Sequence, residues 1–477
     1  MSKKYDAIIV GSGSNGIAAA LHLQQKGLKT AIFEQAATPG GATRTQELTL
    51  PGFKHDVGSA ILPLGLASPF FSSLPLKDFG LEWIYPEIAY AHPFEDGTAY
   101  GCYPDLEKTA AQLGEDRDAY LDIFAPLVEN WHKIGPDLLG PFGIPKHPLE
   151  FMKFGLKALP SARMLVNHYF KNERTKIFFY GSAAHSTLPL TNIASASFGL
   201  VLTTSAHKYN WPFPKGGAGN FVKALLDYYK SMGGEVFLNH WVDDIRDLPN
   251  AFAYLFDLTP KQLLKIKGFN FNSLYRKRME AYNYGAGVFK MDWALSQPIP
   301  FTSEKCRKAA TIHLGFTKEE IENSEKEIHQ KNITNTPYVL VAQHTPFDPF
   351  RAPEGQHTAW AYIHVPNGSN ADFTEVIENQ IERAAPGFKD TILKRSKMNA
   401  VDLQHFDPNL VGGDINGGKQ DITQLFTRPI AKLSPYATPD PRVYICSSST
   451  PPGGGVHGMS GYHAAEKALK DHFKEVL

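Results

Sequence analysis

Four apolar residues, Ala7 to Val10, run into Gly11-Ser12-Gly13-Ser14-Asn15-Gly16, then into a stretch of helical spacing, then into a second apolar run, Thr30 to Phe33, closed by Glu34. Short apolar runs bounded by turn residues predict buried strands, so the segment reads as strand, glycine turn, helix, strand, acid. That rhythm lasts to about Thr45, and the stretch up to residue 212 is rich in Pro, Phe and Tyr with only broken amphipathic pieces. It resumes at Pro214-Lys215-Gly216-Gly217-Ala218-Gly219. There Phe221, Val222, Leu225, Leu226 and Tyr229 predict a helix stopped by Gly233-Gly234, and Glu235 to Leu238 and Phe252 to Leu258 predict two further strands.

A second excursion runs from about Phe269 to Lys419. Its strand-like runs, Gly287 to Leu295, Ala310 to Gly315, Tyr338 to Gln343 and Thr358 to Val365, are separated by Pro, Gly and Asn loops rather than by regular crossover helices, which predicts an antiparallel sheet. One helix is expected over Asp372 to Ala385. The chain ends on a strand, Arg442 to Cys446, a glycine loop, and a helix whose Ala465, Ala468, Leu469, Phe473 and Val476 form one stripe. The expected fold class is α/β. A Rossmann-like parallel-sheet domain (1–62, 213–268, 420–477) is interleaved with an α+β substrate domain (63–212, 269–419) that contains the antiparallel sheet.

The glycine turn carries the first chemistry. Glycine lets the backbone approach a pyrophosphate, and the following helix N-terminus offers free N–H groups and a positive dipole end. Gly11, Gly13, Ser14, Asn15 and Gly16 are therefore candidate phosphate contacts. Glu34 stands 21 residues beyond Gly13, where a carboxylate meets ribose hydroxyls, and Gln35 follows it instead of the Arg that would invite a 2'-phosphate.

Composition narrows the partners. The 477 residues exceed one ordinary core, and 48 basic against 48 acidic residues with no long like-charge block predict no nucleic-acid partner. No apolar stretch of about 18 residues is present, and the first strand follows Met1 closely, so the expectation is a soluble cytoplasmic protein without a signal peptide. Cys102, Cys306 and Cys446 form no CxxC, so no disulfide framework, redox dithiol or metal site is expected.

Two later features favour FAD over NAD. Pro39-Gly40-Gly41-Ala42-Thr43-Arg44-Thr45 combines close backbone approach with a phosphate-seeking Arg44. The loop Pro451-Pro452-Gly453-Gly454-Gly455-Val456-His457-Gly458 opens the last helix, whose N-terminus would stabilise the negative charge of a reduced flavin. Together with Gly52-Phe53, Asp56-Val57-Gly58 and Gly216-Gly217 through Gly233-Gly234-Glu235-Val236, these segments resemble the phytoene desaturase-related family of FAD-dependent oxidoreductases, within the flavin amine oxidase group. The resemblance spans nearly the whole chain. It implies Gly41 and Arg44 along the FAD phosphates, the Val242 backbone at adenine, and Gly455, Val456, His457 and Gly458 at the flavin end; Gly40, Ala42 and Thr43 of the same loop are further candidate cofactor contacts. Where relatives place a charged hairpin after the Gly-Gly-Glu-Val strand, this chain passes through Asp243 to Pro249 straight into the Phe252 strand, which puts that sheet edge in doubt.

Hydride transfer from an unactivated C–H needs a substrate held close, aligned and dry, so an apolar tunnel is the expected contribution of the protein. Phe70, Phe71, Phe178, Phe179, Tyr180, Phe198, Tyr209, Trp211 and Phe213 are candidates, against a plain core reading for most. Three polar residues are candidates for catalysis. His457 either meets the flavin or bonds the helix start. Lys290, with Asp292 on the same strand face, either holds a polar group in the cavity or forms an exposed pair, the second being the favoured expectation. Asp414, with Asn416, either reaches flavin or substrate or builds a turn. Leu149, Met152, Leu156 and Leu159 with Lys153, Lys157 and Arg163 predict a basic amphipathic helix over 149–165, limited by Pro160, that grazes a membrane or packs on the domain. The leading expectation is oxidation or isomerisation of a hydrophobic polyene-like substrate, with oxygen or a quinone as electron acceptor. An amine oxidase and a flavin-bearing interaction protein without turnover are the alternatives. Oligomeric state is left open.

Overall fold

The computed structural model describes residues 4–476. The chain begins with β1 (Ala7–Val10), α1 (Ser14–Gln25) and β2 (Thr30–Phe33). All eight strand residues are buried, each large apolar one contributing about 1.5–3 kcal/mol. The α1 N-cap is Gly13 in an extended conformation with no side-chain cap; of the first-turn N–H groups, that of Gly16 is met by Asp257.

Between β2 and the chain's return to the same parallel sheet it builds β3 (Ile88–Pro93), β4 (Ala99–Cys102) and a largely helical layer that includes α2 (Pro148–Ala158) and α3 (Ala162–Tyr169). The amphipathic stretch expected over 149–165 is thus two helices. Pro160 interrupts it, and the Ser161 hydroxyl caps α3 by accepting the Met164 N–H.

The return supplies α4 (Ala218–Ser231), β5 (Glu235–Phe237) and β6 (Ala253–Phe256). The second excursion gives β7 (Gly287–Leu295), β8 (Ala309–Leu314), α5 (Lys318–Glu327), β9 (Val339–Ala342), β10 (His357–Val365), α6 (Thr374–Ala384) and β11 (Ile392–Met398). Last come β12 (Val443–Ile445) and α7 (Met459–His472). Val476 lies in a short 3-10 turn beyond α7, outside the expected helical stripe. The β8–β9 connection is helical, against the expectation of a loop, whereas α6 falls where a helix was expected over Asp372 to Ala385. The α5 sequence is so charged that only Ile321, Ser324 and Glu325 are buried, and its periodicity is correspondingly faint.

Two sheets organise these elements. The five-stranded sheet is parallel in the order β12-β6-β1-β2-β5. The edge left in doubt by the missing hairpin is β5, which pairs with β2. The seven-stranded sheet runs β11-β7-β10-β9-β8-β3-β4 and is antiparallel except for the β8–β3 pair. Its first-excursion strands could not be assigned to it from sequence. One face of this sheet is apolar, with Phe289, Met291, Trp293, Ile312, Val341 and Ile363 packing on Ile377 and Ile381 of α6. Its other face mixes polar side chains such as Lys290, Asp292 and Thr311 with apolar ones such as Val288 and Leu340, and it builds the site.

Candidate functional site

A single cavity of about 860 Å³ joins the carboxyl ends of the parallel strands to the mixed face of the second sheet. Ligands of open parallel sheets bind at those strand ends, so the position follows from topology. The expected cofactor contacts Gly11, Gly13, Ser14, Asn15, Glu34, Gln35, Gly40, Gly41, Ala42, Thr43, Arg44, Val242, Gly455, Val456 and His457 all line it. Segments more than 400 residues apart in sequence are brought together here.

Gly16 and Gly458 are exceptions, since neither lines the cavity. A Cβ on Gly16 would collide with the Gly11 carbonyl oxygen, so this glycine serves the tight turn. Gly458 takes φ +68° at the N-cap of α7, where a side chain would strike Phe71 and Ala18. Both are packing glycines beside the cofactor contacts.

The nucleotide end is held by carboxylates. Glu34 accepts hydrogen bonds from Ser12 N at 2.8 Å and Ser12 Oγ at 2.6 Å, while Ser12 Oγ accepts from Gly40 N at 3.1 Å, locking the two glycine loops together. Asp257, just past β6, accepts the Gly16 N–H at 2.9 Å. Burial pushes its carboxyl up to about 7, and the nearby Asp407 and Glu34 add to the rise. Asp407 is raised by burial as well, opposed in part by Arg44. The Arg44 guanidinium stacks 4.6 Å from the Phe406 ring centroid. Asp257 and Asp407 were missed from sequence, although an acid directly after the Ala253–Phe256 strand was a readable signal, since that end adjoins the glycine turn.

The fit to FAD rests on orphaned atoms. Among the described residues Asn15 Oδ1, Arg44 Nε and Thr259 Oγ1 are buried without a hydrogen-bond partner, and all three residues line the cavity. N–H groups at the start of α1, an unmet guanidinium nitrogen and glycines at φ +100° (Gly11) and +119° (Gly40) are what a diphosphate with a ribose requires.

At the other end, Lys290 and Asp292 are 2% and 1% exposed, which corrects the expectation of a solvent-facing pair. Lys290 Nζ donates to Asp292 Oδ2 at 2.6 Å, and Lys290 lines the cavity. Burial lowers Lys290 and raises Asp292 to about 6, both toward their neutral forms. His55 Nδ1 lies 3.6 Å from Asp292 Oδ1, and burial holds that imidazole neutral with its pKa down at about 3. Beside it Arg351 pairs with Asp56 and Asp348, and these acids accept the backbone N–H groups of Ala218 and Gly216 at the start of α4. A buried charge network therefore ties the cavity floor to the start of α4.

The other two catalytic candidates are occupied elsewhere. His457 Nδ1 accepts the Met459 N–H at 3.0 Å, so Nε2 carries the proton and donates to the Gly453 carbonyl at 3.2 Å. Burial lowers its pKa to about 4, and the neutral ring braces the loop that faces the cavity. Asp414 does not line the cavity; its oxygens accept N–H groups of Gly285 at 2.6 Å and Asn416 at 2.7 Å, a turn-building role. Asn416 does line it.

Of the nine aromatic candidates, Phe198 and Trp211 line the cavity, and the other seven sit in the core or at its margin. The apolar walls come from Ile61, Leu64, Phe154, Val201, Leu340 and Leu403, among others, and the wall extends to Phe142 and Ile144, which are exposed. Next to them Leu149, Met152, Leu156 and Leu159 are 67%, 55%, 70% and 51% exposed, so the α2 stripe does not pack on the domain. Among the described residues no helix is long and apolar enough to cross a membrane, and no cluster of His, Cys, Asp or Glu is placed to hold a metal ion.

Comparison with known proteins agrees with this geometry. A family model described as an NAD(P)-binding Rossmann-like domain matches residues 9–73. The chain is 23% identical to the rat pyridine nucleotide-disulfide oxidoreductase domain-containing protein 2, over 99% of this chain and 94% of that one. It is 23% identical to the 4,4'-diapolycopen-4-al dehydrogenase of Metabacillus indicus, over 94% and 93%. Among solved structures it is similar to a putrescine oxidase, with a TM-score of 0.61 and 16% identity over 98% of each chain.

Proposed function

Starting from the chain as an FAD-dependent oxidoreductase related to the carotenoid desaturases, we propose that it oxidises a long, hydrophobic, polyene-like molecule by hydride transfer, with oxygen or a quinone taking the electrons. Bound FAD supplies the hydride acceptor, flavin N5, in this chemistry. The observation that carries the reading is the continuity of the cavity. One cavity is lined both by the glycine loops and by apolar walls that reach the exposed Phe142 and Ile144.

The chain's own residues have three tasks. The apolar walls exclude water and align a C–H bond over the cofactor. Lys290, kept from solvent and tied to Asp292, holds a polar group or a water at the floor of the cavity. His457 and Asp414 act as positioning residues for the two loops that close the flavin end. The exposed stripe of α2, with Lys146, Lys153 and Lys157 close by in sequence, docks on an anionic bilayer, so that a lipophilic substrate enters without crossing water.

The test is anaerobic incubation of the FAD-loaded protein with isoprenoid polyenes dispersed in anionic vesicles. Bleaching of the visible flavin absorbance with formation of a product two hydrogens poorer supports the reading. Bleaching by small primary amines with release of aldehyde, and none by polyenes, replaces it with an amine oxidase. No bleaching by either leaves the interaction protein.

A further inference from the structure

Five of the cavity-lining residues carry a buried side-chain atom without a hydrogen-bond partner among the described residues. Three of those atoms are on Asn15, Arg44 and Thr259. The other two are Trp360 Nε1 and Thr311 Oγ1, far from the phosphate loops and on the mixed face of the seven-stranded sheet.

Register explains how they come to share one floor. Asp292 stands opposite Trp360, Trp360 opposite Ala342, and Ala342 opposite Thr311, so the four form one row across β7, β10, β9 and β8. Side chains in a row of neighbouring strands point to the same face. Ala342, the smallest member, stands between Trp360 and Thr311 in this row. In the adjacent row Lys290 stands opposite Tyr362, and Lys290 Nζ lies 5.9 Å from the Trp360 ring centroid. Trp360 and Thr311 are 8% and 1% exposed.

Resting on the apolar-substrate reading above, we propose that this row seats a neutral oxygen function, a hydroxyl or a carbonyl, carried by an otherwise apolar substrate and hydrogen-bonded by Trp360 Nε1 and Thr311 Oγ1. The donor types select the chemistry. An indole N–H only donates, so its partner must accept, which excludes an ammonium group. A carboxylate would add an unpaired negative charge where Lys290 is already matched by Asp292. A pure hydrocarbon would leave both orphaned atoms without partners in a dry site. Sites built around such donors discriminate strongly against analogues that lack the acceptor.

The experiment titrates the FAD-loaded protein with geranylgeraniol and with the hydrocarbon that differs from it only by loss of the hydroxyl, reading the perturbation of the visible flavin spectrum. The wild-type protein is expected to bind the alcohol at least about 10-fold more tightly. In Trp360→Phe and Thr311→Val, checked for unchanged thermal unfolding, that ratio falls towards one. Equal affinity of the wild-type protein for both probes overturns the oxygen seat and leaves the apolar tunnel standing. Binding of neither probe removes the tunnel reading and the seat with it. A preference for the alcohol that survives both substitutions assigns the oxygen to other residues and overturns the proposal.

Discussion

The two ends of the cavity are built on opposite plans. The nucleotide end is made of backbone: glycine turns, helix N–H groups and strand ends, supported by acids such as Glu34 and Asp257 that accept main-chain N–H groups. The other end is made of side chains standing on a sheet face, where Lys290, Trp360 and Thr311 line the same cavity as the apolar walls. A backbone site recognises one invariant group and tolerates few changes. A side-chain floor can be altered residue by residue without disturbing the fold, so the two ends should fail differently when mutated.

The largest effect is expected at Gly13. A Cβ there would sit 2.5 Å from Asp257 Oδ2, against the turn that receives the diphosphate. Gly13→Val should leave a folded but colourless protein, read as the ratio of flavin to protein absorbance after FAD is supplied in excess and removed by gel filtration. Full yellow occupancy in a folded variant would break the backbone plan.

The next effect belongs to the floor. Lys290→Met removes the cation beside a fully buried Asp292, and breaking such a pair costs about 3–5 kcal/mol. The expected pattern is a lower denaturation midpoint and lost turnover with flavin occupancy retained. Loss of FAD in step with loss of stability would mean that the two ends are not separable, and the network through Asp56 and Arg351 to the start of α4 would be the route.

The same contrast decides what could be read from the sequence. The strand, turn and helix at residues 7–34 announce themselves because backbone recognition is local: Gly11, Gly13 and Glu34 are close in the chain and fixed in spacing. The glycine loop before α7 is local too. The floor is not. Whether Lys290 faces solvent or cavity depends on which strands flank β7, and β3 and β4, from the first excursion, complete the sheet. Alternation placed Lys290 and Asp292 on one face correctly, but no sequence pattern states which face is covered. Thr311 and Trp360 come together only through the β8–β9–β10 register. His457 and Asp414 were visible as polar residues in functional loops, yet their hydrogen bonds turn inward to the loops themselves.

A pH effect sharpens the comparison at the nucleotide end. The Asp257 carboxyl rises from 3.8 to about 7 in the folded protein, so its contribution to stability is fully present below pH about 4 and is lost as the pH climbs through 7. The loss is about 2–4 kcal/mol by the pKa difference, the lower figure allowing for relaxation of the site. Asp257→Asn keeps an acceptor for the Gly16 N–H and cannot ionise. The variant without FAD should therefore gain stability relative to wild type at pH 8 and show no such gain at pH 4, measured by urea unfolding at both values. A diphosphate received at the glycine turn would meet the ionised acid, so wild type should release FAD faster above pH 7 while the variant shows a flatter profile.

The smallest effect on the folded protein is expected at the exposed stripe of α2. Leu149 and Leu156 are 67% and 70% exposed, so replacing both by Asp removes no buried contact and should change unfolding free energy by no more than about 0.5 kcal/mol. Each leucine that enters an acyl layer contributes about 1.5–3 kcal/mol, and two new acids beside anionic lipid add repulsion. Sedimentation with phosphatidylglycerol-containing vesicles should then fall at least 10-fold while FAD occupancy and thermal unfolding stay unchanged. Wild-type protein that ignores the vesicles at low salt would detach substrate entry from the membrane. The apolar stripe would then be only an exposed helix face, and the cavity would have to fill from water, which favours a smaller and more polar substrate than the walls suggest.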